Sequence, residues 1–155
     1  AAPDPARVAA LHRDTLTHLP VRLRDGTGVV GPLVLPGRSA CLACVELHRR
    51  SRDPGWPAVT AQLVDRTGEG DAATAAATAG LAVAQVLAAL DGAAGSAGVA
   101  RSGTGSPPVL GATLELDLRA GLLLRRPWPA HPACTCGAPP AETCGQRERR
   151  ETIMR

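Results

Sequence analysis

Two close cysteine pairs, Cys41-Leu-Ala-Cys44 and Cys134-Thr-Cys136, constrain this chain more than any other feature, because residues 45–133 of its 155 lie between them. If the four thiols meet, that whole stretch is pinned at both ends to one point. Four soft thiolates arranged tetrahedrally are what Zn(II) prefers, and a closed four-sulfur site leaves no position for water, so such an ion is structural. Each ligand must be deprotonated, and the binding free energy goes into folding. The alternatives are buried or disulfide-paired cysteines, and a thioredoxin-type redox pair at Cys41 and Cys44. The redox reading wants a buried strand that feeds a helix, and Pro36-Gly37 intervenes here. His131 could add a ligand but reads first as a solvated loop imidazole, and Cys144 as an incidental tail cysteine.

Composition sharpens the need for such a staple. Phe and Tyr are absent and Trp56 and Trp128 are the only large aromatics, so a core must be assembled from Val, Leu and Ala. Lys and Asn are missing as well, and all 17 basic residues are Arg. The four missing types share AT-rich codons, so a GC-rich genome accounts for the bias. Without Lys there is no P-loop lysine, Schiff-base lysine or Ser-Lys dyad. Without aromatics there is no base-stacking platform, and a net charge of +3 is too mild to argue for nucleic acid. Asp14, Asp65 and Glu69 have no partner at catalytic spacing, so no catalytic residue is named. His48, Arg49, Arg50 and Arg52 form a basic cluster, either a solvated helix end or a holder of phosphate or acidic peptide. Asp53 and Trp56 shape either a loop or a site.

Asp4-Pro5 opens a helix from about Pro5 to Leu16, with Val8, Leu11 and Leu16 inward. Pro20 to Arg24, the turn Asp25-Gly-Thr-Gly28 and the apolar run Val29 to Leu35 read as a β-hairpin. Ser39 can cap a helix from about Ala40 to Arg50, which places Cys41 and Cys44 one turn apart. Residues Ser51 to Gly70 read as a crossover loop holding one short helix at Ala58 to Val64. Asp71 caps the strongest helix, which runs to Asp91-Gly92 with Val83, Val86, Leu87 and Leu90 inward and a small-residue stripe at Ala76, Gly80 and Ala84. That run is broken by Thr74, Thr78, Gly80 and Gln85, so it reads as a packed helix and not a membrane span. Gly92 to Pro108 reads as a flexible loop. Thr113 to Arg119 and Leu122 to Arg126 read as a second, solvated hairpin, followed by a Pro-rich and charged tail. No basic-then-apolar signal opens the sequence, which sets the expectation of a soluble cytoplasmic protein.

The segment Val30-Gly-Pro-Leu-Val-Leu-Pro-Gly-Arg-Ser-Ala-Cys-Leu-Ala-Cys44 resembles the ubiquitin-activating-enzyme-like superfamily, the ThiF/MoeB group, at the strand and turn that lead to its first zinc knuckle. The wording through Leu47-His48-Arg49, Asp53-Pro54, Trp56-Pro57 and Ala61-Gln62-Leu63 looks most like actinobacterial ThiF-like proteins, partners or leader-binding components of azoline-forming cyclodehydratases. The resemblance covers roughly Leu19 to Cys136. It implies an α/β fold, the C-terminal half of an adenylation domain built from β-hairpins, a long Ala-rich helix and a zinc knuckle. Residues 1–136 are then the zinc-binding half and 137–155 a tail. It also implies Cys41, Cys44, Cys134 and Cys136 as zinc ligands, and a homodimer. The partner is a precursor peptide, a carrier protein or a biosynthetic enzyme. In this reading the Gly-x-Gly-x-x-Gly nucleotide loop lies before Ala1, so ATP belongs to a longer parent. The crossover loop has no acceptor cysteine, and this chain alone does not adenylate.

Overall fold

A computed structural model describes residues 2–64, 66–94 and 106–140. Helix α1 (Pro5–Arg13) starts where Asp4 Oδ1 accepts from the Ala6 amide at 2.9 Å, with Pro5 in the first turn. It ends earlier than the sequence suggests. Thr15 adopts φ 50° and Leu16 is exposed, whereas Val8 and Leu11 are half-buried as expected, Val8 against the thiol cluster.

Strands β1 (Val21–Arg24) and β2 (Thr27–Val30) form the first hairpin. Its two-residue turn has φ 51° at Asp25 and 76° at Gly26, the left-handed pair that matches strand twist. Strand β2 stops sooner than the apolar run suggests, because Gly31 turns to φ 97°. Beyond it, Val34 and Leu33 make only isolated bridges to His18 and Leu110. Strands β3 (Ala112–Asp117) and β4 (Leu122–Pro127) form the second hairpin. That hairpin is only half solvated. Strand β3 pairs with β2, so the two hairpins join into one antiparallel sheet in the order β1-β2-β3-β4, and Ala112 to Glu115 are buried while β4 is the exposed edge. The sheet is a meander interrupted between β2 and β3 by residues 31–111, which carry all the remaining helices.

Helix α2 (Leu42–Arg52) begins at Cys41, not at Ser39. The Ser39 hydroxyl is engaged elsewhere, accepting from the Leu35 amide at 2.8 Å and donating to the Leu33 carbonyl at 3.2 Å. Helix α3 (Trp56–Leu63) occupies the expected place in the crossover segment. Helix α4 (Ala72–Ala94) is capped by Asp71, whose Oδ1 accepts from the Thr74 amide at 2.7 Å. The face it buries is the opposite of the one expected. Thr74, Thr78, Ala82 and Gln85 pack on the sheet, whereas Val83, Val86, Leu87 and Leu90 are 44–61% exposed and the stripe Ala76, Gly80, Ala84 also faces outward.

The reason lies on β2. Opposite Gly28 the helix sits so close that a methyl group there would overlap the Thr78 side chain. Only small side chains fit that approach, and the Thr78 hydroxyl is satisfied by donating to the Thr74 carbonyl at 2.6 Å. Gly28→Ala should therefore push α4 off the sheet and cost about 1–3 kcal/mol, read as a lower midpoint in urea denaturation; an unchanged midpoint would show the helix can slide. By length and mean hydropathy (1.7), Ala72–Gly92 would suffice to cross a membrane, but its buried side is threonine- and glutamine-bearing and lies on an antiparallel sheet.

Two small apolar clusters result. One lies between sheet and α4, around Val30, Leu33, Ala82, Val109 and Leu114. The other is built around the thiols, with Val34, Ala40 and Leu42 packed on Cys41, Cys44 and Cys136. The expected loop core 95–105, Asp65, Cys144 and the tail from 141 lie outside the described residues.

Candidate metal centre

Four cysteines converge at the start of α2. Cys41 is its N-cap residue and Cys44 sits in its first turn, where the free amides and the helix dipole favour a thiolate. Cys134 and Cys136 arrive on the turn after β4, held by the Cys134 amide donating to the His131 carbonyl at 2.9 Å. The Sγ–Sγ distances are 3.9 Å for Cys41–Cys44, 3.7 Å for Cys41–Cys134 and 3.6 Å for Cys44–Cys136, and all four sulfurs lie within 4.8 Å of one another. A tetrahedron with metal–sulfur bonds of about 2.3 Å has edges of about 3.8 Å. The spacing thus suits a tetrathiolate, and it is far from the ~2.05 Å of a disulfide, so all four cysteines are free.

The electrostatics ask for a cation. An S–H bond from Cys41 holds the Cys44 thiol down to about 4, and the same bond together with burial pushes Cys41 well up. Burial pushes Cys134 up to about 11. One thiolate is thus favoured and further ones are opposed, a balance that a divalent ion at the centre reverses. The donor set could hold a metal such as zinc.

The other singled-out residues are not drawn into this cluster. His131 braces the second knuckle: its Nδ1 accepts from the Ala133 amide at 3.2 Å, Nε2 lies 3.4 Å from Ser51 Oγ, and its ring meets His48 edge-on at 4.7 Å. His48 Nε2 in turn bonds the Pro129 carbonyl at 3.0 Å. Three members of the basic cluster are engaged within the fold, and Arg50 is exposed. Arg49 lies over Trp56 and Trp128 and pairs with Glu46 at 3.1 Å, while Arg52 lies over Trp128. Trp56 Nε1 donates to Glu46 Oε2 at 2.6 Å, and Asp53 Oδ1 accepts from the Gly55 amide, so both residues shape the crossover segment. Asp14 meets only its neighbour Arg13, at an exposed 3.7 Å, and Glu69 is exposed.

A Gly-x-Gly-x-x-Gly string does occur, at Gly26-Thr-Gly-Val-Val-Gly31. It spans the turn and second strand of the β1–β2 hairpin, not a strand-to-helix turn, so no helix N-terminus stands behind it to take a phosphate. The sequence reading overlooked two further features. Trp128, 3% exposed, anchors the second knuckle to the sheet, its Nε1 donating to Thr113 Oγ1 at 3.1 Å. A cavity of about 620 Å³ opens between α1, α2 and α3 and reaches the thiol cluster at Cys41, Cys134 and Cys136, and no periodicity marks it.

No family model and no curated protein matches this chain. Solved structures do share its fold. E. coli MccB with ATP aligns with a TM-score of 0.56 at 15% identity, over 84% of this chain and 34% of MccB. The Microcin C7 biosynthetic enzyme MccB in complex with N-formylated MccA aligns with 0.58 at 14%, over 85% and 36%. A heterocyclase in complex with substrate and cofactor aligns with 0.65 at 16%, over 86% of this chain and 18% of that one. The chain thus spans about a third of MccB and under a fifth of the heterocyclase. At these identities the likeness is one of fold: mixed α/β, matching part of each of these larger proteins.

Proposed function

We propose that this chain is a zinc-stabilised domain of ThiF/MoeB type that holds a precursor peptide or a partner biosynthetic enzyme during modification of ribosomally made peptides, and is not itself catalytic. The observation that carries the reading is the four-sulfur cluster set in a fold shared with MccB, solved with the peptide N-formylated MccA, and with a heterocyclase solved with its substrate. Cys41, Cys44, Cys134 and Cys136 hold the zinc, which pins both ends of the excursion between β2 and β3. A closed set of four sulfurs offers no open position for water, so the ion is structural and the chain's part is recognition. In this reading residues 1–136 are the working unit, 137–155 an accessory tail, and the domain acts in the cytoplasm as a homodimer beside a cyclodehydratase.

The test is native mass spectrometry and fluorescence anisotropy on the purified chain. One zinc per chain, micromolar binding of a labelled precursor peptide from the same organism, and no change in either on adding ATP are expected. A metal-free folded chain, or a peptide that does not bind, would overturn the reading. A second reading has its own observation, since MccB has also been solved with ATP: a longer parent adenylates a carboxylate, in the manner of ubiquitin-activating-like enzymes. Peptide-dependent exchange of pyrophosphate into ATP by that parent would favour it.

A further inference from the structure

Helix α4 carries its larger hydrophobes on the side away from the sheet, and their spacing is regular. Ala73, Ala76, Gly80, Val83, Leu87 and Leu90 follow one another at steps of three, four, three, four and three residues, the a/d repeat of a helix–helix seam, and all six are exposed. The flanking Ala79, Ala84 and Val86 are exposed as well, and no ionisable residue occurs between Ala72 and Leu90. The opposite side of the helix rests on β1, β2 and β3, where Thr74, Thr78 and Gln85 are buried. A surface helix of a monomer has the reverse arrangement, with polar groups in water and aliphatic groups inward. Contiguous apolar surface of this kind marks a place where something else packs.

The seam is graded from small to large. Its first half holds Ala73, Ala76 and Gly80, its second half Val83, Leu87 and Leu90. A copy of the same helix laid antiparallel brings Ala73 opposite Leu90, Ala76 opposite Leu87 and Gly80 opposite Val83 of that copy. Every layer then joins one small side chain to one large one, and the same three layers recur beyond a two-fold axis lying between Gly80 and Val83. Self-complementarity is what an isologous interface requires. A parallel pair would set Gly80 on Gly80 and Leu87 on Leu87, leaving one half of the seam gapped. A Cβ at Gly80 would meet nothing within 4 Å inside the chain, so no contact of the fold itself calls for glycine there. In mid-helix glycine weakens the helix, and what it permits is the close approach of a second backbone. Charge agrees with this pairing. The uncharged seam offers a charged partner nothing to pair with, and the antiparallel register puts Asp91 beside the first turn of the other helix, whose positive dipole end favours a carboxylate. Asp71 and Asp91 at the two ends of the run carry the wrong sign for an anionic lipid surface.

We infer that the outer face of α4 is the seam through which two copies of this chain associate, antiparallel, about a two-fold axis between Gly80 and Val83. This supplies the interface for the homodimer of the reading above, rests on that reading in this respect alone, and asks nothing of the metal centre. The seam is about 26 Å long and one helix wide, so it buries less than the roughly 800 Å² per partner of a standard interface, and the dimer is a reversible one.

Sedimentation velocity on the full chain tests it, with the sedimentation coefficient expected to rise from monomer toward dimer between about 5 and 500 μM. Gly80→Leu has open space for its Cβ inside the chain and favours the helix, so the melting temperature should not fall, while association weakens roughly tenfold or more because the new side chain strikes Val83 of the other copy. Leu87→Glu should weaken association as much by placing an unpaired charge in the seam. Ala76→Arg combined with Leu87→Glu sets each arginine against a glutamate of the other copy and should recover about fivefold over Leu87→Glu alone. A parallel pair gives no such recovery, because residues 76 and 87 then face themselves. Metal content and far-UV circular dichroism, read on every variant, should stay unchanged. A chain that remains monomeric throughout the range overturns the inference, and with it only the homodimer of the reading above. A dimer that survives both Gly80→Leu and Leu87→Glu, or one that Ala76→Arg does not restore, overturns the inference alone, since the copies then meet elsewhere or in another register. Flotation of the dilute chain with vesicles of phosphatidylcholine and phosphatidylglycerol, abolished by Leu87→Glu and without self-association, identifies a lipid surface as the occupant and overturns it as well.

Discussion

Cys44→Ser is expected to release the metal and to lower the melting temperature by roughly 10–15 °C. Loss of a metal site belongs to the small class of changes that cost more than about 4 kcal/mol, and in a chain of this size each kcal/mol moves the midpoint by about 2–4 °C. Here the thiols are themselves the centre of one apolar cluster, with Cys44 fully buried and Val34, Ala40 and Leu42 packed around them. Opening the tetrahedron therefore removes the ion and loosens the packing together. A zinc chelator added to the unmodified chain should produce a similar drop, and acid should do so as well, because protonated thiols do not bind metal. Differential scanning calorimetry with elemental analysis checks this. A Cys44→Ser protein with full zinc occupancy, or one that melts within a degree or two of the parent, would remove the metal from the account of stability.

Trp128→Ala is expected to cost about 3–5 kcal/mol from lost packing alone. The ring is buried, Arg49 and Arg52 lie over it at 5.5 and 5.4 Å, and its indole N–H is the partner of the buried Thr113 hydroxyl. Truncation leaves Thr113 unsatisfied and frees the turn that carries Cys134 and Cys136, so zinc affinity should fall along with stability. Trp128→Phe keeps a six-membered ring but loses the pyrrole half with its N–H, so it should cost less than Trp128→Ala, at about 2–3 kcal/mol from the lost hydrogen bond and the small void together. Guanidinium denaturation and competition against a zinc indicator measure both quantities. If Trp128→Ala destabilises while zinc affinity is unchanged, the knuckle holds its own shape and the tryptophan serves only the sheet.

Local signals in the sequence were reliable wherever the chain's own chemistry decides the outcome. Asp4-Pro5, the Asp25-Gly26 turn, the Asp71 cap and both cysteine pairs act within a few residues, and each stands where the pattern indicates. What depends on a distant partner was not legible. Helix α4 carries two candidate faces, and the larger hydrophobes suggest the wrong one, because the choice is made by Gly28 on another strand. The pairing of β2 with β3, which turns two hairpins into one sheet, joins residues separated by the whole excursion. Ser39 looked like a helix cap because nothing local shows that its hydroxyl is occupied by the Leu33 and Leu35 backbone. The cavity escaped for the same reason: His12, Arg22 and Thr60 come from three separate elements, and only packing makes them neighbours.

The interrupted meander also determines what a single cut would do. A protease cleaving anywhere in residues 53–111 would leave two pieces, each with one hairpin and one thiol pair. The β2–β3 seam, the stacking of Arg49 and Arg52 on Trp128 and the four-thiol cluster would then join them without a covalent link, and the molecule would have become a heterodimer governed by mass action. In the nicked state, whether the two halves travel together on a sizing column would depend on protein concentration and, if the four thiols hold a metal, on metal concentration too, quantities to which the uncut chain's elution does not respond in the same way.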